Sequence, residues 1–200
     1  NKYYFPTRVV FMADLAFTQS LIYSTETLVF TILALLLFTY YRGFGHQYVK
    51  FWMLSLSALA VNQLALACQS VFNDQHIGSL IDITIALVWQ ISNYLHLLFL
   101  MLGIYSAIKP VQLSARSLYI SIIAAMVLGT IAALMYGFDS HSVFNRFYLR
   151  ESLAAFIFGC AFISAALYIY SSNVKHFSGK ILLAYCSLVG LFIRFYCVID

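Results

Sequence analysis

DITIALVWQISNYLHLLFLMLGIY, residues Asp82 to Tyr105, is the stretch that decides what kind of protein this is. At helical spacing Asp82, Trp89, Asn93 and His96 follow one another by seven, four and three residues, so all four share one face. The other faces are almost wholly Leu, Ile, Val, Phe and Ala. A helix this long and this apolar fits a bilayer. A polar stripe on it turns away from lipid, because hydrocarbon offers a polar group no partner. The expectation is a bundle whose remaining helices are arranged around that stripe.

The composition agrees. Of 200 residues, 63% are hydrophobic and only 9% charged, against about 25% charged in soluble domains. Too little polar surface exists to cover a water-soluble globule, and the fold class read from this is all-α, a polytopic helical membrane bundle. The segment 1–19 contains Pro6 and the amphipathic run TRVVFMADLAF. It reads either as a short interfacial helix or as an N-terminal extension of the first span. The bundle then occupies 20–200. Its expected spans are Leu21–Tyr41, Tyr48–Phe72, Ile77–Ile108, Ser117–Tyr136, Arg150–Ser171 and Lys180–Asp200. Each is near the ~20 residues that cross a hydrocarbon core. Lys109-Pro110 closes the third span, since proline cannot continue a helix easily. Asn1 and Asp200 both look like cut ends, and a seventh span beyond Asp200 is expected.

The cations report topology. The loops after the first, third and fifth spans hold Arg42, Lys50, Lys109, Arg116, Lys175 and Lys180 and no acid. Asp14, Glu26, Asp74, Asp82, Asp139, Glu151 and Asp200 all fall toward the opposite side. The positive-inside rule makes the three basic loops cytoplasmic and the N-terminus external. Scattered in this way, the cations form no nucleic-acid-binding face. The four cysteines (Cys68, Cys160, Cys186, Cys197) lie in apolar runs without CxxC spacing, as buried small hydrophobes do. No Asn-x-Ser/Thr sequon occurs, which sits more comfortably with a bacterial protein.

Several polar residues join the opening stripe. The first span brings Glu26 in its outer third. The second carries Ser55, Asn62 and Gln69, again seven apart and on one face. The fifth opens with Arg150 and Glu151, and the sixth carries Arg194. The candidate ligand-binding set is Glu26, Asn62, Gln69, Asp82, Trp89, Asn93, Arg150 and Arg194. Two uses are open for it. The acids and arginines pair with one another and the remaining polar groups fix the bundle by interhelical hydrogen bonds, or together they line a pocket open to the outside. His96 is the only histidine deep in a span, so it has no second histidine to share a haem with, and it and Glu151 are assigned structural polar roles. No metal and no cofactor is expected. No HExxH, GxSxG or Walker pattern is present, so no catalytic residue is assigned. A proton relay through Glu26, Asp82 and His96 is a transporter's alternative, but no internal repeat supports it.

The fourth span has another message. Ser121, Ala125, Gly129, Ala133 and Gly137 recur every four residues, a small-residue ridge that lets another helix approach closely. Packing within the bundle is one use and a homodimer seam the other.

Two stretches carry a resemblance. YYRGFGHQYVKFWMLSLSALAVNQL, residues 40–64, is a basic-aromatic turn running into an apolar helix with Trp. It resembles the first hairpin of bacterial multi-span sensor modules. HFSGKILLAYCSLVGLFIRFY, residues 176–196, is similar to the start of their sixth helix. Such modules precede diguanylate cyclase or histidine kinase domains and often have seven spans. The resemblance implies signal input rather than catalysis in these residues, in two-component or cyclic-di-GMP signalling at a bacterial inner membrane. The expected partners are the lipid bilayer, a second copy in a homodimer, and a small amphiphilic or lipophilic signal. A small transporter or channel, and an assembly or scaffold subunit, are the rival readings.

Overall fold

The first helix has no internal stop. In the computed structural model, which describes residues 6–72, 80–108, 114–134, 156–165 and 167–168, with side chains from Phe17 onward, α1 runs unbroken over Pro6–Phe44. It starts on a proline, whose missing N–H is not needed in a first turn. Between Pro6 and Gly43 no glycine or further proline interrupts it, so the amphipathic N-terminal run simply extends the first span. Hydroxyls along it are satisfied internally: Thr25, Thr27 and Thr31 donate to the carbonyls of Leu21, Tyr23 and Thr27 at 2.7–2.8 Å.

Gly45 ends α1 in the left-handed conformation, with φ of 68° and its N–H on the Tyr41 carbonyl at 2.8 Å. Only glycine adopts that conformation without cost, and the arrangement is a helix C-cap. With only Gly45 and His46 between them, α1 and α2 (Gln47–Phe72) form an antiparallel hairpin. Around this turn the rings of Tyr40, Phe44, His46, Tyr48 and Trp52 stand in a chain, with successive centroids 4.5, 6.4, 5.4 and 5.3 Å apart. Next come α3 (Leu80–Ile108) and α4 (Ala115–Leu134). The Ser114 hydroxyl caps α4 by accepting from Ser117 N–H at 3.2 Å. A shorter apolar helix, α5, covers Phe156–Ala165.

Among the described residues the architecture is all-helical, and α1 to α4 are each long and apolar enough to cross a membrane. Gly137, Arg150, Glu151, Arg194, the sixth span and the loop lysines Lys109, Lys175 and Lys180 lie outside the described residues.

Helix α3 is the one the others share. It packs against α2 on one side and α4 on another. From α5, Ile157 joins a cluster with Tyr94, Leu95 and Leu98, while Ala165 sits on Ile104 and Tyr168 lies 5.2 Å from Tyr105. The contacts advance together along both helices, so α5 runs parallel to α3. Among α1 to α4, α1 packs chiefly on α2, and Leu28, Ile32, Leu35 and Leu36 stand exposed on its other faces. Such a surface suits lipid and not water.

The α3–α4 contact is made by the small-residue ridge. Ala125, Gly129 and Ala133 are buried, and Ala125 and Ala132 pack on Tyr94. A Cβ built on Gly129 would lie 2.7 Å from the Ile91 Cα and 2.9 Å from its N, so the two backbones touch there. Ser121 is half-buried at the start of the same ridge.

Candidate functional site

The polar residues converge on the seam between α2 and α3. Asn62, 3% exposed, donates from Nδ2 to the Trp89 carbonyl at 3.0 Å. That carbonyl already serves its own helix and accepts the amide with its second lone pair. Two turns along, Ser55 Oγ lies 2.9 Å from His96 Nδ1 and 3.2 Å from the His96 carbonyl, while His96 Nδ1 lies 3.1 Å from the Ser55 carbonyl. The hydroxyl has one proton to give. If Nδ1 carries the imidazole proton, it donates to the Ser55 carbonyl and the hydroxyl donates to the His96 carbonyl, so both helices are tied reciprocally. The other tautomer leaves the Ser55 carbonyl without that donor. With Nδ1 unprotonated the hydroxyl donates to it instead and the Ser55 carbonyl keeps the N–H of its own helix, so both tautomers fit these distances.

These two rungs share one register: a step of seven up α2 matches a step of seven down α3. The next step sets Gln69 across from Asp82, and both residues are engaged by neighbours. Closer to the hairpin, the Trp52 indole fills the space over Gly103, where a Cβ would overlap its ring. Asn62 on the Trp89 carbonyl and Ser55 with His96 thus form two rungs of one antiparallel ladder, whose register, extended one step, would set Gln69 opposite Asp82. Asn93, buried at 4% exposure, sits on the flank of this ladder and also has a partner.

Glu26 is half-buried on the stripe of α1 that faces α2. Counted from the Gly45 turn, it lies as far along α1 as Ala65 to Gln69 lie along α2, so it stands at the depth of the outer rung. Arg150 and Arg194 lie outside the described residues, and with them the acid–arginine pairing. Among the described side chains the charges separate by sign. Arg42, Lys50 and Arg116 stand at the hairpin end, and Glu26 and Asp82 in the opposite half.

Three polar atoms were missed by the reading of the sequence. Gln90 is 1% exposed. Its Oε1, Gln63 Oε1 and Trp52 Nε1 are buried with no hydrogen-bond partner among the described residues. An unpaired buried group of this kind costs about 1–3 kcal/mol. The signal was available, because Gln63 and Gln90 are amides in otherwise apolar runs. Spacing by sevens selects a single face, however, and both glutamines lie one residue off it.

The site is thus a hydrogen-bonded ladder with two open acceptors beside it. Among the described residues no three His, Cys, Asp or Glu side chains gather as metal ligands would. Comparison with protein-family profiles, with curated proteins and with solved structures finds no match to this chain.

Proposed function

We propose that the chain is the membrane-embedded sensory input module of a bacterial signalling receptor, with six spans and an external N-terminus. It contains no enzyme activity of its own, works as a homodimer in the inner membrane, and takes a small amphiphilic or lipophilic signal from the periplasmic side. The signal shifts helix packing between two states that a cytoplasmic output domain reads. Such a shift extends only as far as the ligand's affinity differs between the two states.

The observation that carries this reading is the position of α3. The polar ladder joins it to α2, while its other faces meet α4 and α5. A disturbance at one seam therefore reaches three neighbours. The cations gathered at the hairpin end support the orientation, and the resemblance of residues 40–64 and 176–196 to sensor modules supports the class.

Flux measurements on reconstituted vesicles separate this from the transporter reading. The expected result is no uptake or current above protein-free vesicles. Uptake that disappears in Asp82→Asn or Glu26→Gln overturns the sensor assignment. The native chain beyond Asp200 is the second test, and a seventh span leading into a soluble signalling domain is its expected continuation.

A further inference from the structure

The open acceptors lie together. At the rung where Asn62 meets the Trp89 carbonyl, Gln63 is one residue further along α2 and Gln90 one residue further along α3. Each is turned by about 100° from the seam. Because the helices run antiparallel, those two rotations carry both side chains to the same side of the pair. Asn93 is on that side too, and Ala86 and Leu97 share the Gln90 face of α3. Both side-chain oxygens there, Gln63 Oε1 and Gln90 Oε1, are buried and lack a donor among the described residues.

The chemistry of an occupant follows. Two carbonyl oxygens call for a hydrogen-bond donor. The described cations stand at the far end of the bundle. The nearest acid on α3, Asp82, is eight residues away, roughly 12 Å along the helix. Among the described residues a charged headgroup would find no counter-charge beside it at this depth, whereas a neutral O–H needs none. The apolar residues around the amides fit a hydrocarbon body.

We propose that this flank of the α2–α3 seam binds the hydroxyl headgroup of a neutral amphiphile, of the medium-chain alcohol type, whose single proton is donated to either Gln63 Oε1 or Gln90 Oε1. The site deepens the sensory reading and rests on it for the ligand's role as signal, but occupancy is measurable without any output domain.

The test uses the full chain in lipid nanodiscs with Trp52→Phe, leaving Trp89, the neighbour of Gln90, as the single fluorophore of the two tryptophans. 1-Octanol is titrated against heptyl methyl ether, which has the same heavy-atom count and no O–H. Octanol should change Trp89 emission saturably, and the ether should give only an unsaturated drift. Gln63→Leu and Gln90→Leu combined in one chain, checked for unchanged helix content, should weaken octanol binding about fivefold, the value of one lost hydrogen bond, and each alone by less, since the other oxygen can still take the hydroxyl proton. Equal responses to octanol and ether overturn the site, a comparison that depends on neither leucine variant. Octanol curves unaffected by the two leucine changes combined overturn it as well. Spin labels on α2 and α3 keep the two ideas apart. Saturable binding with an unchanged distance leaves the site standing and removes its signalling role, whereas absent binding removes the site and leaves the module's role to the flux assay.

Discussion

At Gly129 the backbone of α4 rests on the backbone of α3, and that contact has no slack. A methyl group there meets the Ile91 main chain, which cannot rotate aside as a side chain can. Gly129→Ala should therefore destabilise the bundle by about 1–3 kcal/mol, as overpacking typically does, read as a shift in the denaturant or thermal midpoint in detergent. At Gly103 the obstacle is the Trp52 indole. Gly103→Ala should likewise destabilise, but here Trp52→Leu in the same chain should restore much of the loss. A double-mutant cycle would show coupling at Gly103 that no Ile91 side-chain change gives at Gly129. The four-residue spacing of small side chains made the α4 ridge visible in advance. The pairing of Trp52 with Gly103 was not, because it links positions 51 residues apart through a packing choice that no local pattern encodes.

Between elements, the question is register. Two rungs with matching seven-residue steps set α2 against α3, and the third places Gln69 opposite Asp82. In a background with the native cysteines removed, Gln69→Cys with Asp82→Cys should form a disulfide readily, and Gln69→Cys with Trp89→Cys should not, since a further step of seven is about 10 Å. Equal yields would mean that the ladder ends at Asn62. Reading the sequence grouped the polar residues into faces of shared phase, and from these faces Ser55, Asn62 and His96 make hydrogen bonds across the α2–α3 seam. It left open whether the faces met each other or a ligand, because phase says nothing about direction or neighbour. The structure ties Asn62 to the Trp89 carbonyl and Ser55 to His96, and so gives Asn62, one of the candidate pocket residues, a place in the framework. Gln63 and Gln90 became visible only once the antiparallel pairing was known.

For the molecule as a whole, sidedness and the central place of α3 are what matter. Arg42, Lys50 and Arg116 gather at one end although they belong to three helices. Lys50→Cys and Arg116→Cys should thus react with an impermeant maleimide from the cytoplasmic face only, in spheroplasts against inverted vesicles. Labelling of the two from opposite faces would refute the orientation. Hydrophobicity alone marked six expected spans, since a bilayer demands length and apolarity from each helix independently, and the described residues hold four helices long and apolar enough to cross one. The parallel run of α5 beside α3 had no such local signature, being the outcome of tertiary packing between Ile157, Ala165 and the α3 surface. The reciprocal ladder also restricts what the bundle can do. A slip of one residue between α2 and α3 would break both rungs at once and set Ser55 against Leu95 or Leu97, and the next step of the seven-residue register is a whole heptad away, about 10 Å. Axial travel is geared shut like a rack held by its teeth, while rotation or splaying about the same line breaks rungs one at a time. Torsion between α2 and α3 is thus easier than piston travel along their shared line.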